Sequence, residues 1–300
     1  MSDWIVSLAG TPQGATLATV LALLAAILHA VFGALQKGRH SPLLSRGVID
    51  ASYGLMAAPL ALFVVPWPAP HMWPIFAGMM LIHMGYKAAQ VASYQRGAYT
   101  VVYPVMRGTG PLFAVIGATI FFGEHFTGVQ WLGVATLLTG IYGLAFYNLR
   151  TITVDRDTLV PALWLAVLTG LFVAAYTTYD AYGIRTANDP FTFLAWFFFL
   201  DGMTMPLVAL YAYRRMPDPP AFAPLALRGV IGGIVAMVSF GAVMLATRLD
   251  QVGQAAVLRE TSTVFAALIG WLMLGERVGP RRLALMGLIA AGAVIVEMGG

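Results

Sequence analysis

Apolar runs of about 20 residues recur along almost the whole chain, separated by short connectors that carry Pro, Gly and Arg. A helix of roughly 20 apolar residues crosses the hydrocarbon core of a bilayer. Of the 300 residues, 59% are hydrophobic and 10% are charged, whereas a soluble domain has about a quarter of its residues charged. The sequence therefore predicts an all-α membrane protein.

Ten of these runs can be placed, which predicts ten transmembrane helices. Their approximate positions are 16–36, 43–65, 73–94, 99–122, 129–148, 160–183, 191–213, 226–247, 252–274 and 283–298. The connectors between them are too short to form a soluble domain. The segment before the first run has no basic region, so we expect this run to be retained as a span rather than removed as a signal peptide.

Basic residues concentrate in the odd-numbered connectors and their flanks, from Lys37 to Arg282, whereas the even-numbered connectors hold Arg185 and Arg248. The positive-inside rule then predicts that the odd connectors are cytoplasmic and both chain ends are outside. Because the charge of +4 lies where it sets topology, it does not indicate a nucleic-acid partner. The absence of cysteine excludes disulfides and Cys-ligated metal centres.

The sequence repeats itself after 152 residues. Residues 103–124, "YPVMRGTGPLFAVIGATIFFGE", align without a gap on residues 255–276, "AAVLRETSTVFAALIGWLMLGE", which places Arg107 over Arg259. The aligned runs are the fourth and the ninth, so each half has five spans, and an odd number turns the second half upside down. We expect two inverted five-helix repeats, 1–150 and 151–300, of the kind that encloses a midplane substrate site in secondary transporters.

The two blocks share the pattern R-x-T-x-x-x-F-A, followed eight residues later by G-E. Together with ten spans and a five-plus-five duplication, this pattern resembles the EamA-type drug/metabolite transporter superfamily. The resemblance implies a gradient-driven carrier in the inner (plasma) membrane, often an exporter of amino acids, including aromatic ones, or of similar metabolites. It also implies that both termini are cytoplasmic, opposite to the charge count, so the orientation stays open.

Polar side chains within the third and fourth spans predict a substrate pathway. The third-span residues recur at spacings of three, four and seven and share one helix face, which lipid would not accommodate. The fourth-span residues follow at intervals of four, and a tryptophan is added from the sixth span. The predicted substrate-binding residues are His83, Tyr86, Lys87, Gln90, Tyr99, Tyr103, Arg107 and Trp164. Such a lining suits a zwitterion: a cation binds its carboxylate, and a carboxylate or a ring face binds its ammonium.

Four further charged residues within the spans are predicted to act in coupling or gating. They are Asp50, Asp201, Arg259 and Glu260. A charge at the bilayer centre costs about 2.5–3.5 kcal/mol, so each is expected to face a partner or a cavity. We expect Asp50 to pair with Lys87 or with Arg107, and Arg259 to pair with Glu260 and Asp201. Structural pairing and a role in translocation both remain open at this point.

The function predicted from these features is export of amino acids and related small metabolites by alternating access. The alternatives are an exchanger of phosphorylated solutes such as nucleotide sugars and a membrane-embedded structural subunit. The sequence has no HExxH, GxSxG or phosphate-binding GxxxxGK[ST] motif, so no enzyme activity, cofactor or metal is predicted. The expected partners are an amino acid-like solute, the lipid bilayer and protons as the coupling ion, and the expected functional unit is a monomer.

Overall fold

The protein is described by a computed structural model, which covers residues 2–36, 41–97, 99–151, 156–274 and 279–300. Within these ranges the regular structure is helical and no strand is found, which confirms the predicted all-α class. The π-helical turn Leu60–Val64 extends α3. The helices are α1 (Ser2–Leu8), α2 (Pro12–Gln36), α3 (Pro42–Pro59), α4 (Met72–Arg96), α5 (Tyr99–Phe122), α6 (Gly128–Thr151), α7 (Arg156–Thr186), α8 (Pro190–Asp201), α9 (Thr204–Arg214), α10 (Phe222–Leu249), α11 (Val252–Arg259), α12 (Ser262–Leu274) and α13 (Pro280–Met298).

Seven helical segments of the described chain are long and apolar enough to cross a membrane. They are Pro12–Gly33, Pro42–Val64, Val105–Phe122, Gly128–Tyr147, Leu159–Thr186, Pro190–Arg214 and Phe222–Leu249. The other three predicted spans are also helical but fall short of these criteria for identifiable reasons. Helix α4 carries the polar side chains predicted for one face of the third span. Helices α11 and α12 are too short, at 8 and 13 residues, and α13 carries three charged residues among its 19.

Helices α6 and α13, which are equivalent in the repeat, pack against each other in opposite directions. The hydroxyl of Thr127, just before α6, donates to the carbonyl of Gly299, just after α13, at 2.8 Å. Further along α6, Gly143 faces Leu285 near the start of α13. Because residue numbers rise in one helix as they fall in the other, the two helices are antiparallel.

Glycine allows this helix pair to approach at backbone distance. A Cβ atom at Gly292 would lie 2.6 Å from the carbonyl oxygen of Gly133 and 2.5 Å from the amide nitrogen of Leu137. Small residues are the usual means by which membrane helices approach closely, since lipid gives apolar side chains no drive to associate. The contact therefore depends on the missing side chain.

A second equivalent pair, α3 with α8 and α9, is also antiparallel. Gly47 faces Ala209, whereas Gly54, two turns later, faces Gly202 at the break between α8 and α9. A Cβ atom at Gly202 would lie 2.5 Å from Gly54 Cα and 2.8 Å from the carbonyl oxygen of Asp50. This close approach carries the end of α8, and with it Asp201, onto α3.

The largest hydrophobic core lies where α3, α4 and α8 meet and is rich in aromatic side chains. Phe76 and Phe193 stack with their ring centroids 5.4 Å apart, and Trp196 packs beside them. A second core joins α2, α6, α10, α11 and α13. Many large apolar side chains point outward, such as Phe63 at 84% exposure and Leu207 at 69%, which is the surface expected of a protein surrounded by lipid.

Candidate functional site

One cluster of buried ionic groups surrounds Lys87 on α4. The Lys87 Nζ atom lies 2.7 Å from Asp50 Oδ2 on α3 and 2.8 Å from Asp201 Oδ1 at the end of α8. Lys87 Nζ also donates to Tyr53 Oη at 3.2 Å, and the Tyr53 hydroxyl in turn donates to Asp201 Oδ2 at 2.5 Å. On the other side, Arg46 Nε lies 2.8 Å from Asp50 Oδ1. Lys87 and Asp50 have no exposed surface, so water does not weaken these interactions.

The cluster continues through His83, one helical turn before Lys87. His83 Nε2 lies 2.9 Å from Asp180 Oδ2 on α7, and His83 Nδ1 lies 3.5 Å from Asp201 Oδ1. The second oxygen of Asp180, Oδ1, has no hydrogen-bond partner among the described residues, although the side chain is buried. We call the set Arg46, Asp50, Tyr53, His83, Lys87, Asp180 and Asp201 the Lys87 cluster.

A second cluster lies where α5 meets the break between α11 and α12. Arg107 Nε lies 2.8 Å from Glu260 Oε2, and Arg107 Nη2 donates to Ser262 Oγ at 2.8 Å. Arg107 Nη1 also lies 3.4 Å from His29 Nε2 on α2. Arg259 Nε is more distant from its carboxylate, 3.9 Å from Glu260 Oε1. We call the set His29, Arg107, Arg259, Glu260 and Ser262 the Arg107 cluster.

The break between α11 and α12 explains how Arg259 and Glu260 reach this position. Helix α11 ends at Arg259, and the amide groups of Glu260 and Thr261 bond three residues back rather than continuing the helix. Irregular backbone at this depth is tolerated where it is enclosed by protein or lines a cavity. Glu260 has no exposed surface, so the break is enclosed by protein.

Two tyrosines separate the clusters. The Tyr176 ring on α7 lies 4.9 Å from the His83 ring, and the Arg259 guanidinium lies 5.8 Å from the centre of the same Tyr176 ring. Tyr86 packs edge-on against Tyr176 at 5.0 Å and accepts a hydrogen bond from Gln90 at 2.8 Å. Tyr176 therefore contacts a member of each cluster.

The structure brings most of the predicted residues together in or beside these clusters, namely Asp50, His83, Tyr86, Lys87, Gln90, Tyr103, Arg107, Asp201, Arg259 and Glu260. Tyr103 lies beside the Arg107 cluster, because the centre of its ring is 5.9 Å from the Arg107 guanidinium. The side chain of Tyr99 lies outside the described residues.

Trp164 does not join either cluster. Its side chain is 71% exposed on α7. At 100° per residue, the 16 positions from Trp164 to Asp180 turn the helix by about 160° beyond whole turns, so the two side chains point in nearly opposite directions. The prediction that Trp164 lines the pathway overlooked this phase difference.

The predicted ion pairs are correct in part. Asp50 pairs with Lys87 rather than with Arg107, and Arg107 pairs instead with Glu260. Arg259 approaches Glu260 as expected, but Asp201 does not pair with Arg259. Asp201 pairs with Lys87 because the glycine contact between α3 and α8 delivers it to that side.

Three residues of the Lys87 cluster were not among the predicted site residues. Arg46 was counted among the basic residues that flank the first connector and set the orientation of the chain in the membrane. It is in fact buried and lies four residues before Asp50 on the same helix face. Tyr53 lies three residues after Asp50 and extends that face. Asp180 is an acidic residue within the apolar span Leu159–Thr186, six residues before the end of α7, and an acid inside such a span is itself a signal of function.

A separate ionic contact joins the two halves of the chain at one end of the bundle. The Glu124 carboxylate accepts hydrogen bonds from the amides of Val252 and Gly253, at 2.7 and 3.0 Å, and so caps the first turn of α11. Arg185 lies 3.6 Å from Glu124 and donates to the carbonyls of Thr247 and Asp250, which end α10. These contacts hold Glu124, which follows α5, and Arg185, at the end of α7, against the end of α10 and the N-terminus of α11.

The cavities differ sharply in character. A cavity of about 500 Å³ lies among apolar side chains of α4, α5 and α7, such as Phe113 and Phe121, and contains no residue of either cluster. A much smaller one, about 10 Å³, lies between the clusters and is lined by Tyr176, Asp180 and Arg259. Within the described part of the chain, no group of His, Asp and Glu is arranged to hold a metal ion.

Part of the chain matches a transporter family, and two known proteins are similar to it in sequence. Residues 160–298 match the EamA-like transporter family. The chloramphenicol-sensitive protein RarD of Pseudomonas aeruginosa is 27% identical over 237 residues, which are 76% of this chain and 70% of that protein. The uncharacterized protein y4nH of Sinorhizobium fredii is 44% identical over 46 residues, 15% of this chain and 39% of that protein.

The fold is also similar to that of a protein of known crystal structure. The two superpose with a TM-score of 0.76 over 94% of this chain and 97% of the other, at 19% sequence identity. At this identity the likeness concerns the fold alone.

Proposed function

Because residues 160–298 match the EamA-like transporter family, we propose that the chain is a secondary carrier of amino acid-like solutes working by alternating access. The direction we propose is export across the inner membrane. The observation that carries the proposal is the pair of buried ionic clusters that meet at Tyr176. Fully buried charges on several helices are costly in a membrane protein and mark solute or ion pathways.

The proposal includes two inverted five-helix repeats. Its support is the packing of equivalent helices: α6 and α13 are antiparallel, and so are α3 and the unit α8–α9. Equivalent helices can be antiparallel only if the two halves run in opposite directions. The breaks at Gly202 and Glu260 fit the same proposal, because discontinuous helices commonly form the substrate site of inverted-repeat carriers.

Alternating access requires that one end of the pathway be closed while the other is open. The contact of Glu124 with the start of α11 supports a closed end, because it ties a helix of the first half to a helix of the second. A carboxylate at a helix N-terminus is a favourable but localised interaction. We propose that it breaks and re-forms as the halves rock.

The charges of the clusters support an amino acid-like solute more than a phosphorylated one. Among the described residues, four cations (Arg46, Lys87, Arg107 and Arg259) are matched by four carboxylates (Asp50, Asp180, Asp201 and Glu260). A site for a phosphate dianion would need an excess of cations. His83, held between two carboxylates, is the group that we propose to exchange a proton during transport.

Transport by the purified protein in liposomes tests this proposal. We expect radiolabelled apolar amino acids to accumulate when a pH gradient is imposed and to equilibrate when an ionophore dissipates it. Liposomes without protein provide the baseline, and a sugar nucleotide provides the competing solute. Uptake of amino acids at the baseline rate would refute the proposal, and exchange of the sugar nucleotide would favour the alternative carrier.

A further inference from the structure

Two incompletely matched charges of opposite sign line the same small cavity. Asp180 is paired through Oδ2 with His83, and its Oδ1 has no hydrogen-bond partner among the described residues. Arg259 Nε lies 3.9 Å from a Glu260 carboxylate whose other oxygen is already 2.8 Å from Arg107, and Arg259 Nη2 reaches Thr177 Oγ1 at 3.4 Å. Asp180 and Arg259 are each only 4% exposed.

The net charges of the two clusters are opposite in sign. With His83 neutral, the Lys87 cluster holds two cations and three carboxylates, an excess of one negative charge. The Arg107 cluster holds two guanidinium groups and one carboxylate, an excess of one positive charge. Tyr176 contacts His83 of the one cluster and Arg259 of the other, so a molecule bound beside Tyr176 that carries both a cation and an anion would neutralise the two excess charges together.

The remaining walls of the cavity define the rest of that molecule. Phe240, Val243 and Met244 of α10 line the same cavity as Tyr176. The Phe240 and Tyr176 rings lie 6.2 Å apart, which leaves apolar and aromatic surface beside the charged pair. Thioether and aromatic groups accept apolar side chains of varied shape.

We propose that Asp180 and Arg259 are the two anchors of a site for a zwitterionic α-amino acid with an apolar side chain. Asp180 binds the ammonium group, Arg259 binds the carboxylate, and the α10 side chains contact the apolar group. This inference rests on the proposed function and specifies its substrate class.

The site must open before a ligand enters. The cavity measures about 10 Å³, which is the room of about one water molecule. Helix α10 supplies its apolar wall and packs on α7, which supplies Tyr176 and Asp180. Separation of α10 from α7 would enlarge the cavity without breaking the ion pairs of either cluster.

Equilibrium binding of three related compounds to the detergent-solubilised protein tests the proposal. The compounds are L-phenylalanine, phenethylamine, which lacks the carboxylate, and 3-phenylpropionate, which lacks the ammonium. Because each charged hydrogen bond contributes substantially, we expect the wild-type protein to bind phenylalanine about 10- to 100-fold more tightly than either analogue. Equal binding of phenylalanine and one analogue would overturn the zwitterion site.

Two substitutions should remove the two preferences separately. In Asp180→Asn, phenylalanine and 3-phenylpropionate should bind alike, and in Arg259→Gln, phenylalanine and phenethylamine should bind alike. Asp218→Asn, between α9 and α10, and Arg214→Gln, at the last residue of α9, change exposed side chains; they are the matched controls and should keep the wild-type pattern. If either site variant fails to fold, the binding of the three compounds to the wild-type protein still tests whether the site prefers a zwitterion.

The outcomes separate this proposal from the one on which it rests. If the two variants bind and transport phenylalanine with unchanged discrimination, the anchors are wrong while the carrier function stands. If the wild-type protein binds none of the three compounds, the zwitterion site is wrong, whereas the carrier proposal fails when the other apolar amino acids are also taken up at the baseline rate.

Discussion

Lys87 is the residue on which the first buried cluster depends. Its ammonium group lies between the carboxylates of Asp50 and Asp201, and it has no exposed surface. Removing one partner from a buried ionic network is far more costly than removing both, because the remaining charge keeps its desolvation cost. The stability of the protein should therefore respond unequally to single and paired substitutions here.

We expect Lys87→Met to lower the free energy of unfolding by about 3–5 kcal/mol, since Asp201 is left buried with His83 and Tyr53 as partners. The double variant Lys87→Met/Asp201→Asn should regain at least half of that loss, because Asp50 still pairs with Arg46. Thermal unfolding of the solubilised variants measures both values. Losses that simply add in the double variant would show that Lys87 and Asp201 are not coupled.

At the scale of elements, α13 offers two glycines with opposite expectations. Gly292 contacts the α6 backbone, whereas a Cβ atom at Gly287 would meet no heavy atom within 4 Å among the described residues. We expect Gly292→Ala to destabilise the protein by about 1–3 kcal/mol, because the two helices must separate. Gly287→Ala should be neutral or stabilising by up to about 1 kcal/mol, because alanine favours a helix.

The same thermal unfolding experiment compares the two glycine variants. Gly287→Ala controls for helix propensity, since both positions lie in α13. Equal melting temperatures for the two variants would mean that the α6–α13 contact does not limit stability.

At the scale of the whole molecule, the relative direction of the halves can be tested directly, because the chain has no cysteine. His71→Cys lies between α3 and α4, and Asp218→Cys lies at the corresponding connector between α9 and α10. Both positions are exposed. In inverted repeats, a membrane-impermeant maleimide should label these two cysteines from opposite faces of the membrane.

Labelling of both cysteines from one face would exclude the inverted arrangement. The same experiment decides the orientation, because the charge count predicts that His71→Cys is labelled from outside and the family resemblance predicts the reverse.

The sequence predicted the helices and much of the site because both follow from local spacing. Lys87 and His83 share a face of α4 whatever surrounds it, and the all-α class follows from apolar runs. The partner of Asp201 could not be predicted, because it depends on the contact between Gly54 and Gly202 in helices far apart in the chain. Trp164 was misplaced although its helical phase was available, and Arg46 was mistaken for a surface charge because it follows a connector.

The alignment of the two halves places Gly108 opposite Glu260, beside the equivalent arginines Arg107 and Arg259. A dimer of identical subunits would put either two acids or none between those arginines. Joining both copies in one polypeptide permits an odd number, and this chain has one. A single acid between two arginines is thus an asymmetry of charge that a dimer of identical subunits cannot have.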